Sequence, residues 1–279
     1  MSESDKNPVT VAYLGPSGTF THAAALKYFA AEAVMDSVAS IDDVFAAVES
    51  DRASYGVVPV ENSTEGAVNF TQDCLVDTSL QIIAEVIIPI SHNFLVAPGI
   101  DPSTIKLIVS HRQSLAQCRT WLANHWPNVE KREVSSNAEA ARQAAADTSI
   151  AAIAGEQAAA EYGLDVLEAG IQDQRNNCTR FLVLAKHSVP ATGSDKTSIL
   201  VYTENTPGAL FRVLEPFNTH QVSLTKIETR PARDANWAYV FFIDFEGHID
   251  DEAVKRVLDE LQHRTVKIKQ LGSYPKAAE

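Results

Sequence analysis

Val9-Thr10-Val11-Ala12-Tyr13-Leu14-Gly15-Pro16-Ser17-Gly18-Thr19-Phe20 decides the fold class. Its first six residues are apolar or β-branched and read as a buried strand. Gly15 to Thr19 form a polar turn with two glycines, and an alanine-rich helix starts near Phe20. Glycine lets a ligand approach the backbone closely, and a helix start offers free N–H groups with a partial positive charge. The stretch is equally a cradle for a carboxylate and an ordinary strand–turn–helix connection. It is not a phosphate-binding P-loop, because the Lys-Ser/Thr ending is absent.

The same unit recurs. Tyr55–Val60 is a strand, followed by Glu61-Asn62-Ser63-Thr64-Glu65-Gly66 and a helical pattern over Ala67–Leu75, which places Ser63 and Thr64 at a helix start. Ile105–Val109 is a strand, followed by Ser110-His111-Arg112-Gln113-Ser114 and a helix over Leu115–His125. Ser135 to Glu139 carry a capping pattern ahead of another alanine-rich helix. Strands alternating with helices through short connections predict parallel sheets covered on both faces. Such folds bind ligands at the carboxyl ends of their strands, where these polar turns fall.

Asn177-Cys178-Thr179-Arg180-Phe181 presents an amide, a hydroxyl and a guanidinium where a polar loop enters the apolar run Phe181–Ala185. Arg180 is suited to holding a carboxylate bidentately and equally to pairing with a protein carboxylate. His92 alone reads as a satisfied core or loop histidine, since no second histidine stands at metal-ligand spacing.

Composition narrows the function. The 279 residues carry a formal charge of −13, which opposes nonspecific binding to nucleic acid or to an anionic membrane. No apolar run approaches the ~18–20 residues that span a bilayer, and Met1 to Pro8 lack an apolar signal core. Three scattered cysteines, Cys74, Cys118 and Cys178, fit neither a disulfide framework nor a zinc site. A cytoplasmic location is expected.

Val189 to Asp195 form a small-residue linker. Beyond it the order is strand Thr197–Thr203, helix from Pro207-Gly208-Ala209-Leu210, strands Val222–Arg230 and Trp237–Phe245, helix Asp250–His263 and strand Val266–Leu271. This βαββαβ order is the ferredoxin-like motif.

Four segments in order, Gly15–Phe20, Val58–Ser63, Ser110–Gln113 and Asn177–Phe181, resemble prephenate dehydratase. The C-terminal part resembles that family's ACT domain through Pro207-Gly208-Ala209-Leu210 and Glu228-Thr229-Arg230-Pro231. The resemblance runs from about Val9 to Tyr274. It implies an α/β protein with a two-lobed catalytic domain like a type II periplasmic binding protein, over residues 8–188, and a ferredoxin-like ACT domain over 197–275. The lobes would comprise about 8–88 with 170–188, and 89–169; residues 189–196 would link the domains.

The implied activity is a lyase reaction, conversion of prephenate to phenylpyruvate, carbon dioxide and water, inhibited by phenylalanine bound to the ACT domain between subunits of a homodimer or homotetramer. Aromatisation drives the reaction, so no metal or other cofactor is required. Anion clamps and help for a departing hydroxyl suffice. By resemblance Thr179 is the essential hydroxyl, with Glu61 and Gln113 completing or orienting a proton relay. Ser17, Gly18, Thr19, Asn62, Ser63, Thr64, Asn177, Arg180 and Phe181 would bind substrate. Asn205, Pro207, Gly208, Ala209, Leu210, Glu228, Thr229 and Arg230 would bind phenylalanine. Two residues depart from the family pattern: Arg112 stands where a proline is usual, and Thr229 where a serine is. Cys178 has no paired base that would make it a nucleophile. Arogenate dehydration and non-catalytic amino-acid sensing are the alternative functions.

Overall fold

The computed structural model describes residues 8–29, 33–231 and 239–277. The chain starts as alternating strands and helices: β1 (Thr10–Leu14), α1 (Phe20–Phe29), β2 (Val34–Val38), α2 (Ile41–Glu49) and β3 (Tyr55–Asn62). Ser40 caps α2 by accepting from Asp43 N at 3.1 Å. A two-residue strand β4 (Gly66–Ala67) then precedes α3 (Asn69–Asp77) and β5 (Gln81–Pro89). The second run is β6 (Asn93–Val96), β7 (Leu107–His111), α4 (Arg112–Gln117), α5 (Arg119–His125), β8 (Glu130–Val134), α6 (Asn137–Ala146), β9 (Ile150–Ala154), α7 (Glu156–Tyr162) and β10 (Asp165–Glu168). The last run is β11 (Cys178–Ala185), β12 (Asp195–Thr203), α8 (Ala209–Thr219), β13 (Leu224–Pro231), β14 (Tyr239–Glu246), α9 (Glu252–Arg264) and β15 (Lys267–Pro275).

Three sheets result. The first has the order β2-β1-β3-β11-β5, with β4 paired to β3. Its β1 is parallel to both β2 and β3, as the helical crossovers require. The second has the order β10-β6-β9-β7-β8. There β7 is parallel to β8 and β9, but β6 is antiparallel to β9 and to β10. The expected all-parallel sheet is therefore mixed: β6 enters it from β5 of the first sheet through residues 90–92, so no helical crossover within the sheet sets its direction against β9. Apolar clusters cover both faces of this sheet, Ala140, Ala141, Ala144 and Ala158 among one, Cys118, Leu122 and Ile171 among the other.

The third sheet, β13-β14-β12-β15, is antiparallel with α8 and α9 as its helices. Val213, Phe217, Val257 and Leu261 from those helices join Ile199, Ile243 and Phe245 in its core. This is the βαββαβ motif. Trp237, where the strand now seen as β14 was expected to start, lies outside the described residues.

Two compact units divide the chain: the stretch up to Thr71 with Val86–Phe181, and Gln72–Glu85 with the chain from Leu182 onward. The first holds the sequence-marked turns around Gly18, Asn62, Gln113 and Thr179. In the second, Gln72 Nε2 donates to Glu228 at 2.6 Å, Asp73 pairs with Arg230 at 3.0 Å, and Lys196 pairs with the buried Glu85 at 2.8 Å. Lys269 Nζ donates to the carbonyls of Leu75 (3.0 Å), Val76 (2.8 Å) and Thr78, a cation on the carbonyl end of α3. No helix among the described residues is long and apolar enough to cross a membrane.

Candidate active site

The first unit contains a cavity of about 740 Å³ lined from both of its sheets. The termini of β1, β3 and β11 and the start of α1 supply one wall; β7, α4 and the start of α6 supply the other. Of the sequence-marked residues, Gly18, Thr19, Asn62, Gln113, Asn177, Thr179 and Phe181 line it. Ser17, Glu61, Ser63, Thr64 and Arg180 are not among the lining residues.

Thr179 sits one residue into β11 and is 9 % exposed. Its Oγ1 accepts from Asn62 Nδ2 at 2.9 Å. The other end of the Asn62 carboxamide accepts from Thr64 N at 2.9 Å and Glu65 N at 3.1 Å, an Asx turn closing β3. The turn fixes which end of the amide faces Thr179. With Asn62 donating to it, the Thr179 hydroxyl keeps its own proton for a group in the cavity.

Ser63 ties the two junctions together. Its N–H donates to Cys178 O at 2.9 Å, and Cys178 N donates to Ser63 Oγ at 2.9 Å. Ser63 Oγ also reaches Asn177 Oδ1 at 3.3 Å. Ile90 N donates to Asn177 O at 2.8 Å, which seats the loop before β11. Arg180 points away from the cavity side of β11 and pairs through Nε with Glu61 at 2.7 Å. Of the two uses open to this guanidinium in the sequence, the protein carboxylate holds it here.

Two anion-cradle expectations are corrected. Ser63 and Thr64 do not start a helix: β4 intervenes, α3 begins at Asn69, and the Thr64 and Glu65 N–H groups are already bonded to Asn62. In the Gly15–Thr19 turn, Gly15 N donates to Val38 O at 2.9 Å and Gly18 N to His22 Nδ1 at 3.1 Å. The two glycine N–H groups of the turn are thus used internally. The starts of α1 and α6 reach the cavity through Thr19, Phe20, Asn137 and Glu139; of their first-turn N–H groups, that of His22 is taken by Thr19 Oγ1 and that of Glu139 by Ser136 Oγ, and the leading ones have no intrahelical acceptor. Neither lysine nor arginine is among the lining residues, so those helix starts and side-chain amides supply the positive potential.

The sequence reading missed several lining residues. His92 is 1 % exposed, donates through Nε2 to Gln117 Oε1 at 2.8 Å, and packs edge-on to Phe20. Burial lowers its pKa, so it is neutral at pH 7. Asn177 Nδ2 approaches the same Gln117 oxygen at 3.4 Å, which orients that amide. Asn137 and Glu139 enter from α6; hydrogen bonds from Arg142 and Gln143 hold the Glu139 carboxyl down to about 2. Nothing local distinguishes these residues in sequence, because a lone His, Gln or Asn becomes a site only when other strands face it.

The architecture agrees with known proteins. A family model described as prephenate dehydratase matches residues 11–189, and one described as ACT domain matches 197–263. The chain belongs to the prephenate dehydratase family. A bifunctional chorismate mutase/prephenate dehydratase of Stutzerimonas stutzeri is 50 % identical over 272 residues, 98 % of this chain and 74 % of the relative. A prephenate dehydratase of Mycobacterium tuberculosis is 39 % identical over 279 residues, covering 96 % of this chain and 87 % of the relative. A prephenate dehydratase of Arthrobacter aurescens solved in complex with L-Phe has 36 % identity and a TM-score of 0.89, with 96 % of this chain and 90 % of that one covered.

Against the prephenate dehydratase pattern, Arg112 takes the usual proline position as the first residue of α4, where either residue suits a helix start. His111 caps α4 by accepting from Gln113 N at 3.4 Å. In the ACT part, Asn205 to Leu210 follow β12 and open α8, with Gly208 at φ 78°. Glu228, Thr229 and Arg230 lie on β13, an edge strand separated from β12 by β14. The two groups of residues are thus not adjacent within one ACT sheet. Burial pushes the Cys118 thiol up to about 12, which leaves it a core residue.

Proposed function

We propose that the chain catalyses the decarboxylative dehydration of prephenate to phenylpyruvate. The observation that carries this is Thr179: a nearly buried hydroxyl that accepts from an oriented Asn62 amide and faces a cavity with two helix starts. In the reaction the bond from the ring to its carboxylate breaks and its electron pair enters the ring. The opposite C–O bond breaks, and the hydroxyl takes up a proton and leaves as water. Thr179 hydrogen-bonds that departing oxygen; because threonine is a weak acid, the proton arrives by relay or from solvent. The first turns of α1 and α6, with Gln113, hold the carboxylates, which agrees with an anionic substrate in a protein of net charge −13. Glu61 and Arg180 hold the ends of β3 and β11 in place rather than meeting substrate.

Phenylalanine is the proposed effector, bound by Asn205–Leu210 of one ACT domain and Glu228–Arg230 of another. The separation of these groups by β14 supports a pocket completed by a second copy, as do the exposed Leu210, Phe211 and Ile227. A homodimer or homotetramer in the cytoplasm follows, and sedimentation measures its size.

The test is phenylpyruvate formation from prephenate, read by absorbance in alkali. Thr179→Ala should lower kcat at least about a hundredfold with a modest change in KM, the signature of lost transition-state help. Thr179→Ser should keep part of the activity. An alanine variant that turns prephenate over normally rules out the role assigned to Thr179.

A further inference from the structure

The carboxamide of Asn137 is a further polar group in the cavity whose direction is fixed by its neighbours. Asn137 is the first residue of α6. Its Oδ1 lies 3.2 Å from His111 N, 3.0 Å from Ser110 Oγ and 2.9 Å from Ser114 Oγ. Ser110 is fully buried and shares its proton with Ile153 O at 2.6 Å, so by itself it does not orient the amide. The backbone N–H of His111 only donates, and it therefore demands the oxygen of Asn137. Three groups from β7 and α4 thus hold the oxygen end, and the NH₂ end is left over. Nδ2 makes no hydrogen bond among the described residues, and Asn137 lines the cavity.

A locked donor is selective. With its acceptor saturated, Asn137 offers N–H alone, which suits an sp² oxygen and is mismatched to an ammonium or to another donor. The neighbouring Glu139 carboxylate is already engaged, since Arg142 binds it through two nitrogens at 2.7 Å and Gln143 donates to it at 2.7 Å. Beside the N–H groups of the first turn of α6, the Asn137 amide extends a donor surface towards an anion.

We propose that Asn137 is a substrate-binding residue whose Nδ2 donates to an sp² oxygen of the substrate, its keto group or a carboxylate, opposite Thr179. The assignment rests on the reading of this cavity as the prephenate site. In this role Asn137 recognises substrate; its bonds to His111, Ser110 and Ser114 serve to aim it.

Asn137→Asp separates recognition from scaffolding. Aspartate keeps an oxygen for the three donors and suits a helix start, and those donors keep it ionised. It places a second, anionic oxygen where Nδ2 was. The expected result is a KM for prephenate raised at least about tenfold, a kcat changed severalfold at most, and an unchanged Tm. Asn137→Ser removes the reaching donor without adding charge and should raise KM in the same direction; it carries the test if the aspartate variant folds poorly. Running both variants on arogenate locates the oxygen. A loss confined to prephenate places Nδ2 on the keto oxygen, and an equal loss on both substrates places it on a carboxylate. An active wild type whose folded variants keep KM within twofold overturns the assignment alone. A wild type that leaves prephenate unchanged overturns the functional reading and this assignment with it.

Discussion

Asn62 uses both ends of one carboxamide. Its oxygen closes the turn after β3 and its nitrogen serves Thr179 at 2.9 Å, so backbone geometry is converted directly into the direction of the hydroxyl proposed for catalysis. Asn62→Asp isolates the second job. The turn keeps an acceptor for Thr64 N and Glu65 N, but the atom facing Thr179 becomes an oxygen that takes the threonine proton. The hydroxyl is then engaged by the protein and no longer supports the departing oxygen. A drop in kcat of roughly tenfold to a hundredfold is expected, the scale of one positioned donor, with KM little changed and Tm within about 2 °C. Steady-state rates on prephenate check it; a kcat within twofold of wild type would show that Asn62 serves the turn alone. The same residue marks how far sequence reading reaches. The side chains of Asn62 and Thr179 were both legible as polar groups at strand ends. That Ser63 and Thr64 lead into β4 rather than a helix was not, because the pairing of Glu61 with Ala67 is made by a two-residue strand with no periodicity of its own.

The elements were more legible than their ends. Period and punctuation mark β1, β3, β7 and the helices after them, since each strand carries an apolar run and each turn is polar. The mixed direction of β6 was hidden because strand direction depends on the path between sheets, not on composition. Asn137 read only as part of a cap, because the orientation of its amide is set by β7 and α4, far away in sequence. Gly272 is a comparable case on β15. It has φ +151°, and a Cβ there would lie 2.2 Å from the carbonyl oxygen of Ile82 on β5. The pairing of β12 with β15 shifts register beside it, from Ser198–Gly272 to Ile199–Gln270. The bulge therefore exists to let two backbones meet, which only glycine permits. Gly272→Ala should cost about 2 kcal/mol or more, on the scale of overpacked cores, and lower Tm by roughly 4–8 °C. Thermal unfolding of the purified variant measures it; a Tm matching wild type would mean that β15 moves freely away from Ile82.

At the scale of the whole molecule, the chain joins a site built from α/β lobes to an ACT domain, and effector control is a matter of linkage between them. Phenylalanine that binds the native protein and not the unfolded chain stabilises it by about 2.7 kcal/mol at a hundredfold excess over Kd. That corresponds to a Tm rise of roughly 5–10 °C. Inhibition requires more than binding, because the effector must prefer an arrangement in which the site works less well, and prephenate must then weaken phenylalanine by the same factor. The helix α3 is the element placed to carry such a preference. It begins at Asn69, seven residues after Asn62, while its Gln72 and Asp73 hold Glu228 and Arg230 on β13. Any effector that repositions β13 therefore acts on a helix continuous in the chain with the Asn62 turn. Asp73→Asn weakens the hold on Arg230 without touching a lining residue of the cavity. Uninhibited kcat/KM should stay within about twofold of wild type, while the phenylalanine concentration for half-inhibition rises by at least about fivefold, a coupling change of roughly 1 kcal/mol. Dose–response curves on prephenate, paired with Tm shifts at saturating phenylalanine, distinguish lost coupling from lost binding. A persisting Tm shift with weaker inhibition places α3 in the coupling, whereas inhibition unchanged in Asp73→Asn removes the Asp73–Arg230 pair from it.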